Sequence, residues 1–379
     1  MGAINVKHTG SGADVSLSSD GTALLLDGTA VGGTALELYA ENPSSPTAPS
    51  ATGANAVAIG TGAVASGGAA FSAGLGASAS GNYSVALGRT ASATQNYTTA
   101  IGFNSDADGS SSISIGLNTT SGSTYSTAFG VGGTGIGAVT ATGAGAMALG
   151  GSYASGTDSF AAAIANNTSS YGATGSNSVA IGLRAKASIA YGTAIGGQDN
   201  TAGSYSVVIG GVGNTASGAA SFATGQYTVA AQRCKVAFGA SQSGVLQQGG
   251  ILVLRSLTSD ATPKQLYAGG STVGSEQVIL PNNSAYSFSG TIIARQDAAS
   301  GSNYASWEIK GALLRDANAA STVLGNGIIN KLFATAGAAA WDIALTADTT
   351  NGGLAITATG AAAVNIRWVA TVNTSEVTY

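Results

Sequence analysis

The stretch NAVAIGTGAVASGG at residues 55–68 sets a pattern that continues to about residue 239. Its opening phrase returns as YSVALG at 83–88, YTTAIG at 97–102 and NSVAIG at 177–182. Such a period is typical of proteins in which similar units stack, because no unit can bury its apolar face alone. The final glycines of the phrases stand 14 residues apart in two series, which are Gly60, Gly74, Gly88, Gly102, Gly116 and Gly130, and then Gly182, Gly196 and Gly210.

Each repeat predicts two short strands. Large apolar residues such as Val57 and Ile59 stand two apart, with a small residue such as Ala58 between them. This alternation predicts a strand with large residues on one face and small residues on the other. The closing glycine ends the strand, because it adopts backbone angles that other residues avoid. A second half follows, as in TGAVASG at 61–67. One repeat is therefore interpreted as one coil of a parallel β-solenoid or roll.

The repeat region carries very little charge. Residues 51–232 contain three Lys/Arg and four Asp/Glu, which is few for a rod surrounded by water. The two or three large apolar side chains of each repeat are expected to form only a thin core. We therefore expect three chains to cover one face of each other's rolls in a closed homotrimer.

The repeated phrase, its period and the following x-x-(A/S)-x-A-x-G half resemble the head repeats of trimeric autotransporter adhesins and haemagglutinins, over about residues 55–239. The resemblance implies a trimeric, left-handed parallel β-roll that serves as a rigid spacer or adhesive head. From about residue 233 onwards the chain is instead similar to the C-terminal knob of bacteriophage tail fibres that carry such repeats. Stretches such as LPNNSAYSFSGTIIARQ at 280–296 and NIRWVATVNTSEVTY at 365–379 carry this second similarity.

The chain is predicted to have three regions. Residues 1–50 contain two Asp-Gly hairpin signals, at Asp20 and Asp27, and end in the proline-rich stretch 41–50, which is interpreted as a linker. This region either docks on a phage tail or baseplate protein or caps the first coil. Residues 51–232 form the repeat shaft.

Residues 233–379 are predicted to form a β-sandwich knob, and they hold nine of the 13 Lys/Arg. Each of the three tryptophans alternates with aliphatic residues, so we expect them in the core. The predicted strands are 251–257, 277–280, 285–295, 305–314, 341–346, 354–359 and 364–372.

Catalysis and metal binding are not expected. The single histidine, His8, lies near the N-terminus, and no Cys/His spacing or calcium-binding nonapeptide suggests a metal or cofactor. Asp106 and Asp108 are interpreted as a solvated turn rather than a glycosidase pair. Cys234, the one cysteine, is expected to be a small buried residue.

Other partner classes are also excluded by composition. The net charge of −4, without a basic run, argues against nucleic-acid binding. No run approaches the roughly 18 apolar residues of a membrane helix. No secretory signal is visible at the N-terminus, which suits a protein built into a particle in the cytoplasm.

The recurring tyrosines have two interpretations. They lie five residues before the closing glycine and could stack on sugars or form a structural ladder beside the seam between chains, which we favour. They are Tyr83, Tyr97, Tyr125, Tyr191 and Tyr205.

The sequence as a whole predicts a homotrimeric phage tail fibre in the virion, whose trimeric knob binds a host cell-surface receptor such as a glycan. The alternatives are a bacterial trimeric adhesin fragment, a polysaccharide depolymerase and a capsid head fibre. Loops carry function on rigid scaffolds, so the receptor contacts are predicted in loops of the knob. The candidate residues are Lys264, Tyr267, Asn282, Asn283, Asn303 and Tyr304.

Overall fold

The computed structural model describes residues 47–133, 137–162, 170–269, 276–297 and 301–379, together with the backbone of four strands before residue 47. Those four strands form an antiparallel sheet in chain order. The hairpin signals are confirmed, because the strands on either side of each Asp-Gly pair with one another. Most of the predicted linker, residues 41–46, lies outside the described residues. The four strands are Ile4–Val6, Val15–Ser19, Leu24–Leu26 and Thr29–Ala30.

The repeats form a parallel β-solenoid of about 13 turns, here called the shaft. Each coil contributes one strand to each of two parallel sheets. The strands that end near the repeat glycines form what we call the aliphatic sheet. They are Val57–Ile59, Phe71–Ala73, Val85–Leu87, Thr99–Ile101, Ile113–Leu117, Thr127–Val131, Met147–Leu149, Phe160–Ala162, Val179–Leu183, Thr193–Gln198, Val207–Val212, Phe222–Gln226 and Val236–Ala240.

The strands of the second half-repeats form the other sheet, which we call the polar sheet because most of its outward side chains are polar. They are Ser50–Ala51, Val64–Ala65, Ser78–Ala79, Ser92–Ala93, Ser105–Ala107, Thr119–Ser121, Val139–Ala141, Tyr153–Ala154, Gly172–Ala173, Lys186–Ala187, Thr201–Ala202 and Thr215–Ala216.

The register of the aliphatic sheet follows the sequence period. Val85 lies beside Thr99 on one side and beside Phe71 on the other, so each repeat is one coil. The longer interval after Gly130 does not disturb this register, whereas the register shifts by one residue between Ile181 and Leu183. Phe129 still pairs with Leu149, and the extra residues are accommodated between strands.

The interior of the shaft is built from alanine and serine. Ala86, Ala100 and Ala180 are completely buried, whereas Ile113 is 42% and Phe129 55% exposed. The expectation that the large apolar residues form the core is therefore wrong. The chain crosses from one sheet to the other within a few residues, between Ile59 and Val64 for example, so the two sheets lie close together and most inward side chains end in a methyl or hydroxyl group. Val139 and Val208 are larger exceptions, and both are completely buried.

The aliphatic sheet continues into the C-terminal region without a break. Strand Gln247–Thr258 pairs antiparallel with Val236–Ala240, the last strand of the shaft. Four further antiparallel strands of 12 or 13 residues follow. In spatial order they are Ile366–Thr378, Ser284–Gln296, Tyr304–Arg315 and Val323–Ala334.

A smaller antiparallel sheet faces this extension. Its central strand, Gly353–Thr359, pairs with Asp342–Asp348, Lys264–Gln265 and Val278–Ile279. Both sheets contribute to one hydrophobic cluster, in which Trp307, Trp341 and Trp368 are buried as predicted. Two short 3-10 helices, Ala319–Ser321 and Ala336–Ala338, complete the region.

The strand prediction for this region missed Val323–Ala334. The segment Gly325-Asn326-Gly327 has the composition of a turn, but it lies inside the strand, where Asn326 adopts a φ of 40°. The register slips beside it, so it forms a bulge in an edge strand. The β-sandwich and the left-handed roll stay predictions.

Candidate receptor-binding surfaces

The structure separates the six predicted contact residues into two groups. Asn282 and Asn283 precede strand Ser284–Gln296, whereas Tyr304 pairs with Arg295 near its other end. At 3.3 Å per residue these two ends are about 36 Å apart. Lys264 and Tyr267 lie nearer the second end, because Tyr267 exchanges backbone hydrogen bonds with Arg255. The six residues therefore do not form one site.

Two of the predicted asparagines hold the backbone or neighbouring side chains in place. Asn303 Nδ2 donates to Gln296 Oε1 at 3.1 Å, and its Oδ1 accepts from Thr335 Oγ1 at 3.0 Å. Asn283 adopts a φ of 56° and donates its backbone N–H to Asp316. These contacts give both asparagines a structural role. Tyr304, by contrast, is 42% exposed and stacks on Phe333 with 5.1 Å between ring centroids.

A cavity of about 420 Å³ opens beside Tyr267. Its lining includes Arg255, Leu257, Arg367 and Val369, which all point outward from the long antiparallel sheet. These arginines were not among the residues that the sequence pointed to. Their alternation with buried residues was visible, but the register that brings distant strands together was not.

The positive charge of the arginines in this region is only partly balanced by carboxylates. Arg295 lies directly opposite Arg367 in the neighbouring strand. Arg367 forms a two-point ion pair with Asp297, at 3.0 and 3.1 Å. Among the ion pairs of the described residues, none includes Arg255 or Arg295. Their guanidinium groups therefore keep their positive charge without a carboxylate partner in this part of the chain.

The outward face of the aliphatic sheet is a second surface, which we call the aliphatic stripe. It consists of the first and third residues of the strand in each coil, such as Val57 and Ile59, and it contains no charged side chain. Thirteen strands at about 4.8 Å give it a length of about 60 Å. Monomeric proteins rarely expose an apolar surface this continuous, so the stripe indicates an interface.

Four of the five recurring tyrosines stack in two pairs. Tyr83 and Tyr97 stack with 5.3 Å between centroids and 5° between planes, and Tyr191 and Tyr205 stack at 4.6 Å. All four are exposed, and they occupy left-handed backbone positions with φ between 53° and 62°. Within each pair one face of each ring is covered by the other ring, which supports the structural interpretation over stacking on sugars.

The carboxylates of the shaft do not line a described cavity. Asp106 lies in strand Ser105–Ala107 and not in the expected turn. Burial, and then the charge of Asp108, raise the pKa of Asp106. Asp108 Oδ1 accepts a hydrogen bond from Thr94 at 2.9 Å. Cys234 is exposed, contrary to expectation.

Two searches of the described residues gave negative results. No group of three or more His, Cys, Asp or Glu side chains in the described ranges is placed to hold a metal ion. In the same part of the chain, no helix has the length and hydrophobicity that crossing a membrane requires.

Comparison with protein families identifies the repeats. Residues 51–77, 79–105 and 173–198 match the YadA head domain repeat (2 copies), so the shaft carries YadA head repeats as the resemblance implied. A comparison with curated protein sequences gave no significant match.

Three solved structures with some similarity to the chain are phage tailspike proteins. That of Acinetobacter phage vB_ApiP_P1 is 9% identical, with 82% of this chain and 62% of the tailspike covered and a TM-score of 0.21. The tailspike of Acinetobacter baumannii bacteriophage Fri1, described as a capsular polysaccharide depolymerase, is 8% identical over 81% of this chain and 69% of its own, at a TM-score of 0.21. The tailspike of Acinetobacter baumannii phage AM24 is 10% identical, with 77% of this chain and 53% of the tailspike covered and a TM-score of 0.20. These TM-scores are too low to establish a shared fold.

Proposed function

Because the shaft carries YadA head repeats, we propose that the protein is a homotrimeric phage tail fibre that attaches the virion to the host cell surface. In this proposal the shaft is a left-handed roll and the C-terminal region is a trimeric β-sandwich knob. The N-terminal sheet docks on the tail or baseplate. The observation that carries the proposal is the single unbroken sheet, which joins a shaft of very low charge to a C-terminal region that holds nine of the 13 Lys/Arg.

The aliphatic stripe supports the homotrimer. Covering 100 Å² of apolar surface is favourable by about 2.5 kcal/mol before the entropic cost of association is subtracted. Ile209, Met147 and Phe129 on the stripe are each at least 40% exposed in the single chain, so much of this surface is still available. A closed ring of three chains covers the stripe of each copy with its neighbours.

The stripe gives a direct test of assembly. Ile195→Lys places a charge on the stripe, and Thr201→Lys places the same charge on the outward face of the polar sheet. We expect the wild type and Thr201→Lys to sediment as trimers and Ile195→Lys to dissociate. A wild-type protein that sediments as an ordered monomer would contradict the assembly.

Attachment without cleavage is the second part of the proposal. Three identical knobs on each fibre multiply the affinity of one weak contact. The acidic pair Asp106 and Asp108 supports binding alone, because Asp108 is engaged by Thr94 and neither residue lines a cavity described above. Incubation with host surface polysaccharide is expected to leave the number of reducing ends unchanged. An increase in reducing ends would favour a depolymerase.

The place of the protein in the particle is tested by labelling. Antibodies raised against residues 301–379 are expected to mark the tail of intact virions in electron microscopy and to block adsorption to host cells. Label on the capsid would favour a head fibre, and absence of label from virions would favour a bacterial adhesin.

A further inference from the structure

Three strands bring arginines together at one end of the long antiparallel sheet. Arg367 lies opposite Leu257 on one side and opposite Arg295 on the other, and Arg255 lies opposite Val369, two residues further along. Side chains two apart in a strand share a face, so all three arginines point outward. All three arginines are exposed, as this orientation requires.

The balance of charge at this end favours an anion. Arg367 is occupied by Asp297, but Arg255 and Arg295 form no ion pair within the described residues. Lys264 adds a further cation, since its Nζ reaches the carbonyl of Leu257 at 3.3 Å. Guanidinium groups bind carboxylates and phosphates through two parallel hydrogen bonds, which gives both strength and direction.

The cavity between these strands has the size and walls of a saccharide site. Its volume of about 420 Å³ lies within the usual range for ligand pockets. Leu257 and Val369 give it an apolar wall beside Tyr267 and two arginines. An apolar wall can cover the C–H face of a sugar while the guanidinium groups bind its acidic substituent.

The cavity lies beside the continuation of the aliphatic stripe. The stripe continues into the C-terminal sheet where Val236 pairs with Ile251. Arg255 lies four residues beyond Ile251 along the same strand, which is about 13 Å to the side. The contact between copies in the proposed trimer is assigned to the stripe, and the cavity is assigned to this end of the strand.

We propose that the cavity beside Arg255, with Arg295 at its margin, binds the acidic groups of an anionic cell-surface polysaccharide. This inference rests on the proposed attachment function and specifies its ligand. The shared chemistry is a carboxylate or a phosphodiester on a sugar chain. Arg255 and Arg295 supply the charge, and Tyr267 with Leu257 supplies the wall.

The test measures binding of the full-length trimer to immobilised polymers. Polygalacturonate supplies carboxylates, phosphomannan supplies phosphodiesters and dextran is neutral. We expect wild type to bind one or both anionic polymers and not dextran, with affinity falling as salt rises. The double variant Arg255→Gln/Arg295→Gln is expected to bind at least about tenfold more weakly, because each guanidinium hydrogen bond to an anion is lost. The anionic polymer that wild type binds identifies the source of the charge.

The matched control is Lys310→Gln, which removes an exposed cation from the same face, opposite Ser289 and away from the cavity. It should bind like wild type, and all variants should unfold at the same temperature. Equal binding by the double variant, or failure of wild type to bind either anionic polymer, would overturn the inference even where the fibre adsorbs to cells. Failure of wild type to adsorb to any strain of a host panel rejects the attachment function instead.

Discussion

The shaft and the C-terminal region use one continuous sheet in opposite ways. In the shaft Ala86 and Ala180 point inward, and the large side chains point outward. In the C-terminal region Trp307 and Trp368 point inward and form a tilted pair with 5.5 Å between ring centroids. The distance to the opposing layer decides which arrangement is possible. A coil that returns within a few residues admits methyl groups, whereas a separate sheet leaves room for indoles.

This difference implies two sources of stability. The C-terminal region buries large apolar side chains within one chain, so its stability comes mainly from its own core. The shaft buries little apolar volume and relies on hydrogen bonds repeated from coil to coil. Asn214 shows the principle, because its Nδ2 donates to the carbonyls of Gly210 and Gly225, and its Oδ1 accepts from the N–H of Thr228. The aliphatic stripe of the shaft is left available for association with other copies.

The largest effect is expected where two coils touch through their backbones. A Cβ atom at Gly81 would lie 1.8 Å from the carbonyl oxygen of Gln95 in the next coil. Gly81→Val therefore cannot be accommodated without separating the coils. We expect a loss of more than about 4 kcal/mol, the range of severe core defects.

The control for Gly81→Val is Gly133→Ala, where a Cβ would meet nothing within 4 Å. Thermal unfolding followed by circular dichroism should show a large decrease for Gly81→Val and little change for Gly133→Ala. Equal melting temperatures for the two variants would mean that the coils are not packed as tightly as described.

The junction between the two regions contains a buried ion pair. Lys235 Nζ lies 2.7 Å from Glu376 Oε2, and the two side chains are 3% and 0% exposed. Burial lowers the pKa of Lys235, although Glu376 opposes this shift. Lys235→Met leaves a buried carboxylate uncompensated and is expected to cost about 3–5 kcal/mol.

Two further variants define the contribution of this pair. The double variant Lys235→Met/Glu376→Gln removes both charges and should recover most of the loss. Arg184→Gln breaks a pair with Asp199 in which the two side chains are 37% and 35% exposed, so it should cost at most about 1 kcal/mol. Denaturant unfolding measures all three. If Lys235→Met costs no more than Arg184→Gln, the junction does not depend on the buried pair.

The sequence predicted the periodic part of this architecture and the buried tryptophans, but not the orientation of the strands. Alternation defines two faces of a strand and does not say which is inside. Ala58 and Ile59 fit either assignment until the width of the coil is known. The repeat period set the register within the shaft. Nothing comparable set the register between the strands that carry Arg255 and Arg295, so the candidate cavity could not be predicted.

The inverted core of the shaft predicts a moderate effect. Ala100 is completely buried, and Thr99 lies on the opposite face of the same strand. Ala100→Leu inserts three carbon atoms into a space that fits a methyl group, so it is expected to cost about 1–3 kcal/mol. Thr99→Leu places the same side chain on the aliphatic stripe, where there is space for it, and should change stability by less than about 0.5 kcal/mol. Denaturant unfolding of the two variants compares them directly. A larger loss of stability for Thr99→Leu than for Ala100→Leu would mean that the large residues, and not the alanines, face the interior.

The smallest effect concerns a turn of the C-terminal region, which is held by one carboxylate. Asp348 accepts hydrogen bonds from the backbone N–H groups of Thr350 and Asn351 and from the side chains of Asn351 and Gln277, at 2.5–3.0 Å. Burial alone would raise the pKa of Asp348, but these hydrogen bonds outweigh it and hold the pKa below its ordinary value of 3.8. Stability from this group is therefore present above pH 3.8 and lost as the pH falls through the lower, folded value.

Asp348→Asn is accordingly expected to cost about 1 kcal/mol at pH 6, and this difference from wild type should shrink as the pH falls below 4. Urea unfolding at pH 6, 4 and 3 measures it. Asp342→Asn, at the exposed start of the same strand, should stay within about 0.5 kcal/mol of wild type throughout. A difference between wild type and Asp348→Asn that did not change with pH would show that the carboxylate stabilises this turn by shape alone.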